Sequence, residues 1–367
     1  MKTVLTIIRW VVGLLFIFSG LVKANDPLGL SYKMLEFFEA WGFHFLDNYT
    51  LTFSIVMNVC EVLAGVAIIT GWRIKFFSWF LLLLIIFFTF LTAYVLFSGK
   101  IKECGCFGDC IPLSGSSTFI KDLVLLLLIL LIFMNAQKIK SNLSSQFSVS
   151  ILLLTIIATI AVQFYVLKHL PFFDCLPYKK GNNILNEMKA PAGSVPDSFT
   201  IRFKYKKNNQ LLEFDQAHFP NDFDSTYEYV DRFDQLIRKG NAEPAIADFS
   251  LRTIDGFDST AFILHQNKKY ILLFAKDFSN INEWKKDFEE LLAVATSKNV
   301  PVYIITADAD NGIKLFKNVP LLKCDATVIK TAARVNPTYF VMQDAAVLNK
   351  LSYADTRLLL QEIANTK

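Results

Sequence analysis

Five stretches of this sequence, residues 4–22, 51–70, 76–97, 119–134 and 149–167, are almost wholly apolar. A helix of about 20 residues crosses a hydrocarbon layer of about 30 Å, and inside that layer each segment must satisfy its own backbone N–H and C=O groups. Runs of this length point to a bundle of membrane-spanning helices. The alternative, buried helices of a water-soluble bundle, needs a polar face at helical period, and residues 81–90 and 123–133 have almost none. Composition agrees, since 53% hydrophobic residues and a mean hydropathy of +0.39 are too apolar for an ordinary soluble chain. The first run lacks a small-residue cleavage site and reads as a retained span rather than a signal peptide.

Lysines and arginines of short loops stay on the cytoplasmic side. Lys2 with Arg9, Arg73 with Lys75, and Lys138 with Lys140 share one side when the N-terminus is inside; Lys100 and Lys102 are the exceptions. An odd number of spans then predicts a multi-pass protein of the inner (cytoplasmic) membrane, bathed in lipid, with everything after residue 167 in the periplasm. Segment 32–44 reads as an amphipathic helix at the outer interface. A net charge of +4 without a basic block gives no sign of a nucleic-acid partner, and none is expected.

That topology puts Cys104, Cys106, Cys110, Cys175 and Cys324 on the disulfide-permissive side, with Cys60 inside a span. Clustered thiols exchange when one thiolate attacks another's disulfide, and Gly105 and Gly108 give the loop the necessary backbone freedom. A Cys104–Cys106 ring would be strained, whereas Cys106–Cys110 or Cys104–Cys110 would close more easily. Three uses stand side by side: a redox-active set with Cys104, Cys106 and Cys110 as catalytic residues, a fixed staple that includes Cys175, or a metal site. The last is short of a fourth ligand and has no histidine in the loop. Within the second span, Glu61 is a carboxylate in hydrocarbon, fit to relay protons or to hydrogen-bond a headgroup; the plain alternative is a packing hydrogen bond to Asn58 or a serine.

After residue 167 the composition turns polar. Residues 198–206 alternate as a half-buried strand, Asn208-Asn209 makes a turn and 210–214 returns as a hairpin, while 227–238 reads as a helix. Residues 246–251, 269–274 and 302–306 read as strands around an amphipathic helix at 282–297, followed by strands at 339–342 and 347–351 and a closing helix at 353–364.

Residues 10–23 (WVVGLLFIFSGLVK), 61–71 (EVLAGVAIITG) and the Cys-Gly-Cys-Phe-Gly loop resemble the MauE/DoxX-like family of redox-associated membrane proteins. That likeness covers residues 1–140 and implies thiol–disulfide chemistry outside the membrane or quinone-linked oxidation. No Cys-x-x-Cys lies within a span, which departs from membrane enzymes that pass electrons between quinone and thiols. Residues 244–367 resemble a thioredoxin-like domain through Asp248-Phe249-Ser250-Leu251, Asp255-Gly256 and Pro337 in the place of the cis-proline. Where that family carries its Cys-x-x-Cys, this chain reads Ala275-Lys276-Asp277-Phe278-Ser279-Asn280. Without thiols the domain cannot run the usual exchange cycle, so the resemblance implies partner binding through Pro337, Asp277 and Phe278, and Cys324 reads as a packing residue.

The fold expected is a multi-domain membrane protein: an α-helical transmembrane bundle (a four-helix DoxX/MauE-like core in 1–140 plus a fifth tethering span in 141–170), a connector and small α+β insert in 171–243, and an extracytoplasmic α/β thioredoxin-like domain in 244–367. Two functions follow. One is a thiol–disulfide redox component, with an extracytoplasmic protein thiol partner and quinone as the one cofactor in view. The other is a non-catalytic membrane scaffold with a structural disulfide.

Overall fold

The apolar runs fold as helices, and turn chemistry sets their ends. In the computed structural model, which describes residues 2–101, 105, 107–111, 113–141, 143–238 and 240–365, five helices are long and apolar enough to cross a membrane. They are α1 (Lys2–Asn25), α3 (Thr50–Thr70), α4 (Ile74–Ser98), α5 (Gly115–Met134) and α6 (Ser145–His169). Gly71 and Gly99 end α3 and α4 in the left-handed region, and the Ser114 and Ser144 side chains cap α5 and α6. Between α1 and α3 lies α2 (Pro27–Trp41), capped by the Asp26 carboxylate on the Gly29 N–H.

Small residues bring α1 and α3 together: a Cβ on Gly65 would lie 2.6 Å from the Gly13 carbonyl, so only glycine permits this approach. Val12, Phe16, Ala64, Ile68, Leu81, Ile85 and Ile129 fill the bundle core. Arg9 does not reach for headgroups, as a lone basic residue near a helix start would; its guanidinium donates to the Ile68 and Ile69 carbonyls at 3.1 and 2.8 Å, satisfying groups at the end of α3.

The chain divides into two compact units, residues 182–249 and the remainder. The smaller unit holds a helical turn, α7 (Ile184–Glu187), and an antiparallel sheet of β1 (Ser198–Lys207), β2 (Gln210–Asp215) and β3 (Glu228–Arg238) in the order β2-β1-β3. Asn208 and Asn209, both at positive φ, make the predicted hairpin turn. The helix expected at 227–238 is instead β3. Tyr229, Phe233, Leu236 and Ile237 fit either period, and aromatic and β-branched residues beside the open edge of β1 favour pairing.

In the larger unit, α8 (Thr260–Leu264) precedes a five-stranded sheet of order β6-β5-β4-β7-β8. Its strands are β4 (Tyr270–Ala275), β5 (Val302–Thr306), β6 (Leu321–Lys323), β7 (Thr338–Gln343) and β8 (Ala346–Ser352). β4, β5 and β6 run parallel; β7 and β8 are antiparallel to their neighbours. Helices α9 (Lys285–Ser297), α10 (Ala309–Leu315), α11 (Ala326–Ala332) and α12 (Thr356–Ala364) complete it, and Trp284, Phe288, Leu291, Tyr339 and Ile363 form its core. Residues 246–251 form no strand; only Arg252 makes isolated bridges, to Asp258 and Lys323. The Asn336–Pro337 peptide is cis, as the resemblance implies.

Candidate functional site

The loop between α4 and α5 is the place where cysteine chemistry meets the rest of the fold. Gly105 and Gly108 take positive φ, and a turn at Gly108–Cys110 delivers Cys110 to a disulfide with Cys175. Cys104 and Cys106 lie outside the described residues. The structure thus joins two of the predicted cysteines, and the bond is the staple that the sequence left open.

Each bonded cysteine follows an aspartate, and each aspartate is gripped by a buried cation of the α/β domain. Arg334, in the turn after α11, donates through Nη2 to Asp109 and through Nε to Asp26 at 2.8 Å. Lys350 on β8 donates to Asp174 at 2.7 Å. The two cationic side chains are only 5% and 6% exposed. Burial alone would lower the Arg334 pKa, and the Asp26 and Asp109 carboxylates outweigh it and raise the pKa above the ordinary value; burial pulls Lys350 below its own. Arg334 also donates to the Lys330 carbonyl and lies 5.5 Å from the Tyr32 ring centroid.

Pro337 follows Arg334 by three residues, so the cis-proline turn approaches the bundle's own loops. Pro337 itself is buried. Asn336 ties that turn to the thiol-less segment: its Nδ2 donates to the Asp277 carbonyl at 3.1 Å, and its Oδ1 accepts from the Lys276 N–H at 2.8 Å. Asp277 remains a third exposed. Burial would raise its pKa, but hydrogen bonds from Ser279 and Lys276 hold it below the ordinary carboxylate range. Phe278 departs from the expected partner-binding role, because its ring is packed inside against Trp284 and Phe316. Cys324 is buried too, which pushes its thiol up to about 12 and leaves it inert.

Inside the bundle Glu61 is fully buried and pairs with Lys23, and the Ser19 hydroxyl donates to it at 3.0 Å. Asn58 turns elsewhere, donating to Gln163 at 2.9 Å. A second pair lies nearby: Asp122 accepts from Lys121 and from Thr92, both at 3.1 Å. Ser19, Lys23, Glu61, Lys121 and Asp122 line a cavity of about 30 Å³ that also touches Phe107, three residues before Cys110. That space holds about one water. Sequence reasoning found Glu61 but missed Lys23, Lys121 and Asp122. The spacing of Ser19 and Lys23, one helical turn apart on a face opposite a buried carboxylate, was the available signal.

A larger groove of about 500 Å³ runs between α2, α3 and α4. Phe37, Trp41, Phe53, Phe80 and Phe87 wall it, and its lining also includes Lys23, Lys33 and Gly105. Phe53 and Phe87 are exposed on the surface that would face lipid. Gly105 is fitted to the spot, since a Cβ there would stand 3.1 Å from the Lys33 side chain and φ is +72°.

Spans, groove and buried ion pairs define a polytopic membrane protein with a cysteine loop closing one end of its bundle. Residues 1–135, which hold the first four spans, match the family model of methylamine utilisation protein MauE. Residues 199–239, the segment from β1 to β3, match a domain of unknown function, DUF8463. No curated protein and no solved structure matches the chain.

Proposed function

We propose that the chain is a component of extracytoplasmic thiol–disulfide exchange in the inner membrane, with Cys104 and Cys106 as its exchanging thiols and a quinone in the groove as electron acceptor. The observation that carries this reading is the groove itself, whose lining reaches Gly105, the residue between those two cysteines. Its aromatic walls, lateral exposure and few polar atoms fit a ring-bearing isoprenoid. A quinone held there would supply a two-electron, two-proton sink for the oxidation of two loop thiols to a disulfide. The loop disulfide is then reduced by a client dithiol, which leaves as a disulfide. Glu61, Lys23 and Ser19 hold a proton at the Glu61 carboxylate or the Lys23 amine, within the cavity that Phe107 closes. The α/β domain, thioredoxin-like but without thiols, serves this loop through Arg334 and Lys350, and its remaining exposed edge at Asp277 meets the client. In this arrangement the N-terminus is cytoplasmic and the α/β domain periplasmic.

The Cys110–Cys175 bond supports a second reading, a non-catalytic scaffold in which that disulfide is purely structural. Mass spectrometry of Cys104→Ser and Cys106→Ser variants separates the two. Exchange predicts that one variant accumulates a mixed disulfide with a client and that added short-chain quinone speeds reoxidation of the wild-type loop. Full function in both variants with no trapped species removes the exchange reading, and indifference to quinone removes the acceptor.

A further inference from the structure

We propose that β3 is a self-recognition edge, through which two copies of this chain join their three-stranded sheets into one. The inference is independent of the redox reading. β3 stands at the end of the order β2-β1-β3, and every one of its 11 residues is exposed. Among these, Tyr229, Val230, Phe233, Leu236 and Ile237 are large and apolar. An open strand edge with uncovered apolar residues on both faces invites another strand.

The sequence of the strand names the strand that fits. A two-fold axis perpendicular to the sheet makes an antiparallel pair in which residues of equal parity stand opposite each other. Centred on Phe233, this pairing sets Arg232 against Asp234 of the second copy and Asp234 against its Arg232. Asp231 then meets Gln235 within the regular part of the strand, while Val230 and Ile237 fall at the register shifts that flank it. Sliding to either neighbouring symmetric register centres the pair on Arg232 or Asp234, which puts Arg232 against Arg232 or Asp234 against Asp234. Like charges directly opposite are destabilising and opposite charges stabilising, so the charges select one register.

The backbone agrees. The Arg232 N–H donates to the Asp231 carboxylate at 2.8 Å. In the proposed register the even positions turn their backbone groups to the open edge, where Arg232 and Asp234 would exchange hydrogen bonds across the axis. Register shifts in the β1–β3 ladder fall outside the run from Asp231 to Leu236, leaving the centre of the proposed pair regular. Charges and bulges ordinarily keep foreign strands off an edge. Here they leave this chain as the partner whose charges match.

The test uses the full chain in mild detergent. With Phe233 opposite itself in a non-hydrogen-bonded pair, the two Cα atoms would be about 4.5 Å apart, within reach of a disulfide. Oxidised Phe233→Cys should therefore run as a covalent dimer. Leu211→Cys on β2, more exposed at 59% than Phe233 at 37%, should not. Arg232→Asp alone and Asp234→Arg alone should each raise the dimer dissociation constant about tenfold, and the double exchange should restore it. A Phe233→Cys chain that cross-links no more than Leu211→Cys overturns the proposal, as does a double variant no more dimeric than the singles. Rescue by the double exchange excludes misfolding as the cause of the single effects.

Discussion

Replacing Arg334 with alanine tests whether the α/β domain truly grips the cysteine loop. The guanidinium is 5% exposed and serves two carboxylates, Asp26 and Asp109, which are themselves 17% and 29% exposed. Breaking a fully buried pair costs about 3–5 kcal/mol; because both aspartates keep some water, about 3 kcal/mol is the expected loss here. The bond to the Lys330 carbonyl goes as well, but Asp26 still caps α2 through the Gly29 N–H, so α2 itself should persist. The loss should appear as easier local opening: about 3 kcal/mol corresponds to roughly a hundredfold faster amide exchange in peptides covering residues 26–32 and 330–336. Hydrogen-exchange mass spectrometry with the disulfide intact reads this directly. Asp109→Asn should cost less, about 1–2 kcal/mol, and the double variant should fall short of the sum because the two groups touch. Exchange unchanged within threefold in Arg334→Ala, or strict additivity with Asp109→Asn, would refute the clamp.

Other consequences can be checked separately. Glu61→Gln leaves Lys23 buried without its counter-charge and should destabilise the solubilised bundle by about 3–5 kcal/mol, while Glu61→Gln with Lys23→Met should recover much of it in thermal melts. Phe278→Ala should cost about 3–5 kcal/mol of stability through a cavity beside Trp284 and Phe316, measured by denaturant titration; a stable variant that only loses partner binding would contradict its core placement. Because burial raises the Cys324 thiol to about 12, its contribution to stability is fully present below the unfolded-state value near 9 and is lost as pH rises toward 12. Cys324→Ala should flatten that alkaline decline, and iodoacetamide should reach Cys324 only in unfolded protein.

The bundle was legible because long apolar runs answer to a single constraint, the thickness of a bilayer, and their ends carry glycine or serine caps. β3 was not, because Tyr229, Phe233, Leu236 and Ile237 satisfy helical and extended spacing alike, and the decision lay with the neighbouring edge of β1. Glu61 was visible as a costly carboxylate in hydrocarbon, but its counter-charge stands 38 residues away on α1. The clamp was further out of reach, since Arg334 meets Asp109 and Asp26 across 225 and 308 residues. Its one local trace was the repeated Asp-Cys at 109–110 and 174–175. Phe278 misled because the resemblance alone suggested a partner-facing residue there, whereas its ring packs against Trp284 and Phe316.

The Cys110–Cys175 bond also makes part of this protein a closed loop. It ties the residues just before α5 to those just after α6, 65 positions apart. Those two spans and the segment between them therefore form a covalent hoop. A single cut at residues 135–144 would leave one molecule on a non-reducing gel and two pieces after reduction. Whatever the rest of the bundle does, α5 and α6 cannot part company.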